Sequence, residues 1–318
     1  MNNGHDGLIL LPRLRVENAN AISGPLTWGF PSPTAFTGFT HALNRKFGTD
    51  KLILEGTGIV CHRFDPQVNK PNGKYNYRFN LARHPLNEKG ETPGTVEEGR
   101  AHMEVSLIIG VRGYLDSDNG ADLAEKIFTA ACGMRLAGGS IRSTPSSSHR
   151  GKASYLLLSK NDEDDAKLFR SFRRRLIPGF ILMSRHDLLE EHTVLMAQEN
   201  PDATSFDALL DITALHIDPE NGDAGVSGEK THWHVKRAYP GWLVPLPVGY
   251  GAISNLYEQG AIRESRDQTV PFRFVESLCS LGEWVSPHRL TNPRQILWFH
   301  RADPEAGLYI VTQENQTK

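Results

Sequence analysis

Strand-type and helix-type hydrophobic patterns alternate in a definite order through the first half of the chain, and that order restricts the possible folds. Residues 8–16 read LILLPRLRV, an apolar run that passes into alternation. Side chains of a strand point to its two faces in turn. The pattern therefore predicts a strand with Arg13 and Arg15 on one face and Leu14 and Val16 on the other.

A helix is expected next, because Ser32 and Pro33 supply an N-cap and a first helical residue, and Gly48 follows the end near Phe47. The remaining patterns predict, in order, a strand at 58–64, a polar hairpin-like excursion at about 65–99, a buried strand at 101–111, a helix at 122–132, a glycine-rich turn and a short strand at 154–158.

This order of elements resembles the split βαβ, ferredoxin-like pattern that RNA-recognition domains share. We therefore predict an α+β fold with a ferredoxin-like (RNA-recognition-motif-like) core and hairpin and helical extensions. The core would occupy residues 1–160 and a helical segment residues 161–217. A polar linker and a β-rich, tryptophan-containing part would occupy residues 218–318.

Composition limits the classes of partner. A net charge of −2 over 318 residues argues against a polybasic chain, so any nucleic-acid contact must use a local basic face. The three cysteines lie far apart without a CxxC pair, which argues against disulfides and a zinc knuckle. The first residues lack a signal-peptide pattern, and no apolar run is long enough to span a membrane, so we expect a cytoplasmic protein without a membrane partner.

Sequence motifs of common enzyme classes are absent: there is no GxSxG elbow, Walker loop, HExxH pair or kinase signature. His232 and His234 would share one face of a strand, but thirteen histidines produce such pairs by chance. His62 and His102 are expected to be strand residues with satisfied hydrogen bonds. We predict no catalytic residue, no metal and no cofactor.

Three segments could contact RNA. Arg170, Arg173 and Arg174 would share one face of a helix, either as a ridge for phosphates or as a solvated face paired with the acidic residues 162–165. Arg135 precedes the pair Gly138 and Gly139, where backbone can approach a ligand closely. The loop at 18–33 combines amide side chains, a tryptophan and a phenylalanine, which suit an unpaired nucleotide.

Seven runs spread along the chain closely resemble one protein family. They are LLPRLRVENANAISGPLTWGFPSPTAFTGFTHAL, GIVCHRF, VEEGRAHMEVSL, MRLAGGSI, PGWLVPLPVGY, RFVESLCSLGEWVSPHR and LWFH. The family is the Cas-five-type subunit of the type I-F (Csy) CRISPR surveillance complex, a Cascade-type assembly. Three stretches, 65–95, 142–170 and 215–235, depart from the family pattern.

The resemblance implies a subunit without catalysis, which forms a heterodimer with the large subunit of the complex. Together the two would grip the 5′ handle of the guide RNA, abut the first backbone subunit of the filament and meet target DNA only indirectly. By motif, the RNA-binding residues would be Arg13, Arg15, Asn18, Asn20, Trp28, Phe30, Arg135, Gly138, Gly139 and Ser140. For Trp28 and Phe30, packing beneath the loop is the alternative to stacking on bases.

Two other functions stay open on the sequence. One is a precursor-RNA endonuclease, which would need a positioned acid or base such as His62 or His102 beside the 2′-hydroxyl. The other is a structural adaptor that docks through an apolar face containing Trp242, Trp284 and Trp298.

Overall fold

The computed structural model describes residues 4–143, 151–159, 162–219 and 233–313. Its α-helices are α1 Pro33–Phe47, α2 Ser117–Cys132, α3 Asp162–Arg173, α4 His186–Glu199 and α5 Ser205–Thr213. The strands are β1 Gly7–Asn20, β2 Ile22–Gly24, β3 Thr27–Trp28, β4 Ile53–Pro66, β5 Val68–Asn69, β6 Arg78–Phe79, β7 Leu81–Arg83, β8 Thr95–Glu97, β9 Arg100–Arg112, β10 Arg135–Leu136, β11 Gly139–Ile141, β12 Ser154–Leu157, β13 Phe180–Ser184, β14 His216–Pro219, β15 Trp233–Lys236, β16 Leu243–Ala252, β17 Val275–Val285, β18 Trp298–Asp303 and β19 Leu308–Gln313. Short 3₁₀ helices lie at Arg174–Leu176, Pro287–Arg289 and Pro293–Ile296.

One antiparallel sheet of eleven strands dominates the described residues, in the order β10-β11-β1-β9-β4-β13-β17-β16-β19-β18, with β12 also paired to β1. A bridge between Trp298 on β18 and Thr57 on β4 brings the far end of the sheet back to its middle. The six strands from β4 to β18 therefore form a closed ring. The predicted mixture of helices and strands is confirmed.

A bulge in β1 decides which side chains face each side of the sheet. Leu11 pairs with Leu107 and Leu14 with Val105, so β1 has one more residue than β9 between these pairs. Arg13 occupies the bulge with a φ of 46°, outside the usual strand region. The extra residue places Leu14 on the same face as Leu11. Beyond the bulge, Leu14 and Val16 are buried and Arg15 between them is exposed, in agreement with the predicted alternation.

The two faces of the sheet bury separate apolar clusters. Ile9, Leu11, Leu14 and Val16 of β1 pack with the apolar sides of α1 and α2. Leu8 and Leu10 pack on the other face with side chains of α3 and the 3₁₀ segments after it. A third, smaller cluster packs α4 and α5 against β17. The second face is thus covered over only part of β1, and the end that carries Arg15 is exposed.

Several element boundaries agree with the sequence-based expectations, and others do not. Helix α1 begins at Pro33 with the Ser32 hydroxyl accepting from the Thr34 N–H, as predicted. Helix α2 starts at Ser117, five residues before its expected start, because Asp116 caps it through the Asn119 N–H. The segment expected to be helical from 161 to 217 contains strand β13, which pairs with both β4 and β17 and is stabilised by that pairing.

The excursion at 65–99 is two short two-stranded pairings, β5 with β6 and β7 with β8, rather than one hairpin. The carboxyl-terminal strands β16 to β19 extend the main sheet. His232 and most of the expected linker at 218–230 lie outside the described residues. Among the residues that are described, no helix has the length and apolar character needed to cross a membrane.

Candidate nucleic-acid interface

The exposed end of the sheet face carries a cross-strand row of charged side chains. Glu104 of β9 lies opposite Arg15 of β1 on one side and Arg63 of β4 on the other. With Arg13 from the bulge, these four residues are called the arginine row below. A hollow of about 390 Å³ lies over Arg15, Arg63 and Glu104 of the row, and its other lining residues are Val16, Glu17, Asp65, His102 and Met103.

Carboxylates engage every guanidinium of the arginine row. Arg13 donates from Nη1 to Glu104 at 2.6 Å and from Nη2 to the Ile177 carbonyl at 3.3 Å. Arg15 lies 3.5 Å from the same Glu104, and Arg63 lies 2.6 Å from Asp65. The row therefore presents little unbalanced positive charge to a phosphate.

Asn18 and Asn20 shape the end of β1. Asn18 has a φ of 57°, and its Oδ1 accepts a hydrogen bond from Gln67 at 2.6 Å. The Asn20 side chain forms a local turn, accepting from the Ile22 N–H and donating to the Ile22 carbonyl. Its backbone N–H donates to the Ala137 carbonyl at 2.8 Å, which joins the β1 exit to the turn between β10 and β11.

A second hollow, here called the glycine groove, lies between that turn, the β1 exit and the first half of α1. Its volume is about 570 Å³, and Asn20, Ser32, Thr34, Arg135 and Gly138 are among its lining residues. A Cβ added at Gly138, or at Gly38 on α1, would meet no atom within 4 Å. Backbone on both walls is therefore open to close approach, and none of the lining residues is acidic.

The remaining residues of the turn have different environments. The exposed Arg135 donates from Nε to the Gly138 carbonyl at 3.0 Å, which holds its guanidinium at the rim of the glycine groove. Gly139 packs on β1, where an added Cβ would lie 2.6 Å from the Glu17 carbonyl oxygen. Ser140 is exposed and pairs with Arg135 and Glu17 in register.

Trp28 and Phe30 differ in accessibility. Phe30 is half-buried, with its ring 5.4 Å from Phe36 and 4.9 Å from Trp284, so it packs beneath the loop. Trp28 is 55% exposed and meets Phe79 edge-on at 5.5 Å. Both rings line a third hollow of about 680 Å³, called the aromatic pocket.

Comparison with known proteins identifies the relatives of this chain. Residues 9–311 match the family described as CRISPR-associated protein (Cas_Csy2). The chain is also 49% identical over 311 residues to the CRISPR-associated protein Csy2 of Pseudomonas aeruginosa (strain UCBPP-PA14), covering 96% of this chain and 94% of that protein.

The chain belongs to the Csy2 family. It is accordingly a type I-F Csy complex subunit of the Cas-five type, with a role in CRISPR surveillance, and the resemblance found in the sequence is confirmed.

The histidines considered as catalysts in this Csy2-family chain are engaged by protein groups. The two ring nitrogens of His62 lie within hydrogen-bond distance of the Pro178 carbonyl and the Ser106 hydroxyl. Burial lowers the pKa of His62, and the Arg13 charge lowers it further, whereas the Pro178 carbonyl and Glu104 act to raise it. His102 contacts Gln67 and the Asn18 N–H through its two nitrogens.

The arginine cluster after α3 has a mixed environment. Arg173 donates to the Leu290 carbonyl at 2.7 Å and to the His288 carbonyl, and Arg175 donates to Lys152 and Ser154. Arg170 and Arg174 are exposed. The alternative of pairing with the acidic residues 162–165 does not hold at Asp165, which is buried against Arg294 at 2.5 Å. Part of this cluster thus joins α3 to neighbouring segments.

Sequence reasoning missed residues that reach the interface from distant elements. Arg63 belongs to the predicted second strand, and its position opposite Glu104 could be inferred once that strand was paired with β9. Tyr250 of the glycine groove and Trp242 and Phe180 of the aromatic pocket come from elements more than 100 residues from β1. No local pattern indicates their placement.

Trp298, expected on a docking face, is 1% exposed and donates to the Leu182 carbonyl in the core, so that part of the docking prediction is wrong.

Proposed function

We propose that this Csy2-family chain is a cytoplasmic, non-catalytic subunit that binds the 5′ handle of a guide RNA. Paired with the large subunit of the Csy complex, it caps the backbone filament in antiviral defence and meets target DNA only indirectly. The observation that carries the RNA-binding part is the glycine groove, which combines Arg135 with open backbone at Gly38 and Gly138.

The order of the amino-terminal elements supports the proposed ferredoxin-like core. Along the chain, β1, α1, β4, β9, α2 and β11 follow one another, and in the sheet the strands lie in the order β11-β1-β9-β4. The helices α1 and α2 pack on one face of these strands. That is the arrangement of a split βαβ unit, to which β5 to β8 and the ring strands are additions.

The polar groups of the glycine groove match the chemistry of an unpaired RNA strand. Recognition of single-stranded RNA uses guanidinium contacts with phosphate, hydrogen bonds to base edges and sugar hydroxyls, and close backbone approach. Arg135 supplies the first, Gly38 and Gly138 allow the close approach, and the Thr34 hydroxyl lies on the wall, whereas the Ser32 hydroxyl is engaged by the Pro247 carbonyl and Thr34. Because the lining of the glycine groove contains no carboxylate, no side chain of the lining would repel a phosphate that enters the groove.

A protein partner is supported by an apolar surface on α5 and the ribbon of β14 and β15. Ile217 and Val235 lie directly opposite each other, and both are exposed. Trp233, two residues before Val235 in β15, is exposed on the same face, and Leu215, just before β14, is exposed as well. A lone two-stranded ribbon is marginally stable in water, so a partner that covers this face would stabilise it. We propose the large subunit as that partner.

Binding rather than catalysis is supported by the environment of the candidate acids and bases. The rings of His62 and His102 are both engaged by protein groups. Burial raises the pKa of the neighbouring Cys61 thiol to about 12, which leaves it a poor nucleophile at neutral pH.

Reconstitution of the complex from co-expressed subunits tests the proposal. The RNA that co-purifies with wild type would be sequenced and compared with RNA from complexes carrying Arg135→Glu or Arg170→Glu, both of which reverse an exposed arginine. We expect Arg135→Glu to lose protection of the 5′ handle and Arg170→Glu to retain it. Equal protection in both variants, with all partners present, would exclude Arg135 from the RNA-binding surface. If Arg15→Glu also retained the handle, the chain would be a structural adaptor.

A further inference from the structure

The aromatic pocket lies between the loop of β2 and β3, strand β4 and the ring strands β13, β16 and β17. Its volume is about 680 Å³. Trp28, Phe180 and Trp242 are 55%, 43% and 56% exposed, so they form its mouth. Phe64 and Trp284 are half-buried deeper in it. Exposed aromatic rings at such a density around one cavity indicate a binding site.

The rings are fixed in place by one another and by the backbone. Trp242 packs edge-on against Phe180 at 5.3 Å and lies 6.4 Å from Trp284. The Trp242 carbonyl accepts a hydrogen bond from the Trp284 N–H at 3.0 Å. Gly241 has a φ of 117°, and a Cβ there would lie 2.8 Å from Glu283, so the turn that presents Trp242 depends on glycine. Contacts within the protein therefore hold Phe180, Trp242 and Trp284 in their places in the pocket.

The chemistry of the lining selects among possible occupants. Arg63 is the only Lys or Arg in the lining, which also contains His62, and no carboxylate lines the pocket, so a cationic ligand would meet aromatic faces but no counter-ion in the lining. The indole N–H groups of Trp28, Trp242 and Trp284 have no hydrogen-bond acceptor among the described residues. An aliphatic side chain from a partner protein would bury these donors unpaired, which costs free energy. A flat ring with acceptors on its edge would stack on the rings and pair with the donors.

The aromatic pocket adjoins the other two hollows and shares one lining residue with each. Ser23 lines both the aromatic pocket and the glycine groove. Arg63 lines both the aromatic pocket and the hollow over the arginine row. A strand that leaves the glycine groove past Ser23 therefore passes the mouth of the pocket, with Arg63 on its far side.

We propose that the aromatic pocket receives one unpaired nucleobase of the bound RNA, turned away from its neighbours and stacked on Trp28 or Trp242. This inference rests on the proposed RNA-binding function and adds to it a site for a single base. Stacking on an aromatic side chain contributes enough for its removal to weaken RNA binding about tenfold.

The test uses the reconstituted complex with synthetic guide RNAs that carry 2-aminopurine or an abasic site at each handle position in turn. Trp28→Leu and Trp242→Leu probe the pocket. Tyr114→Leu is the control, because Tyr114 is 77% exposed and follows β9 at the opposite end from His102 and Glu104. Two pocket variants are used so that one remains informative if the other fails to fold.

We expect 2-aminopurine at one position to be quenched in wild type and to recover in Trp242→Leu or Trp28→Leu, but not in Tyr114→Leu. An abasic site at that position should weaken wild type about tenfold and leave the responsive variant unchanged. Quenching that is identical in wild type and both pocket variants would overturn the base site, even where Arg135→Glu still reduces RNA binding. Loss of the large subunit from both pocket variants, with RNA binding intact, would assign the pocket to a protein partner. Failure of wild-type complex to bind RNA at all would overturn the proposed function itself.

Discussion

The arginine row and the glycine groove both contain residues expected to hold RNA, yet their surroundings are opposite. The row has three guanidiniums, but Glu104 engages Arg13 and Arg15, and Asp65 engages Arg63. The glycine groove has the single guanidinium of Arg135 and no carboxylate in its lining. The number of arginines in a segment is therefore a poor guide to phosphate binding, because the acids that face them decide the charge that remains.

The two regions also differ in how they are supported. Arg13 is held between Glu104 and the Ile177 carbonyl, and it therefore joins β1, β9 and the segment before β13. Among the residues that the structure describes, the Arg135 side chain donates only within its own turn, to the Gly138 carbonyl. Variants in the row should consequently affect stability first, whereas variants at the rim of the groove should affect ligand binding first.

The largest expected effect comes from a bulky substitution at Gly139, the residue of β11 that packs on β1. Gly139→Val would place a branched side chain within 2.6 Å of the Glu17 carbonyl oxygen and 2.7 Å of Val16. We expect a loss of about 3 kcal/mol in the free energy of unfolding, measured by urea denaturation. Gly138→Ala is the matched control. Its Cβ meets no atom, and only the φ of 77° opposes it, so we expect a loss of about 1 kcal/mol. Equal losses at the two glycines would mean that Gly139 is not packed on β1.

A smaller effect is expected from removing the shared acid of the arginine row. Glu104→Gln takes away the carboxylate that Arg13 contacts at 2.6 Å, in a pair that is about three-quarters buried. We expect the free energy of unfolding to fall by about 1 to 2 kcal/mol. At physiological salt RNA affinity should be unchanged, because the RNA is proposed to lie in the glycine groove rather than on the row. A variant with unchanged stability and lower RNA affinity would contradict the structural role of Glu104.

The differences between sequence expectation and structure have identifiable physical causes. Helix α1 was predictable because its cap, first-turn proline and final glycine are all local. Strand β13 was not, because it is stabilised by pairing with β4 and β17, which lie far away in the chain. The partner of Arg13 is 91 residues distant, so no local pattern could show that its charge is already balanced. Trp242 and Trp298 look alike in sequence, but only the pairing of β18 reveals that Trp298 is buried.

The smallest expected effect concerns pH and His62, which lies beside the arginine row. Burial lowers the pKa of His62 below the ordinary value of 6.5, and the Arg13 charge lowers it further. The Pro178 carbonyl and Glu104 raise it, but by less. The unfolded chain therefore binds a proton at a higher pH than the folded chain does, so stability is lost as the pH falls below about 6.5. His62→Gln should show a shallower loss of thermal stability in that range. An unchanged slope would mean that His62 does not contribute to the acid sensitivity.

The salt dependence of RNA binding tests the central claim, that RNA is held in the glycine groove rather than on the arginine row. Reconstituted complexes with Arg135→Glu and with Arg15→Glu carry the same change in net charge, at exposed arginines in the two regions. A phosphate contact contributes about 0.7 units to the slope of log affinity against log salt for a single strand. We expect Arg135→Glu to reduce the slope by about that amount and Arg15→Glu to leave it unchanged. A reduction in Arg15→Glu with none in Arg135→Glu would place the RNA on the arginine row and contradict the account.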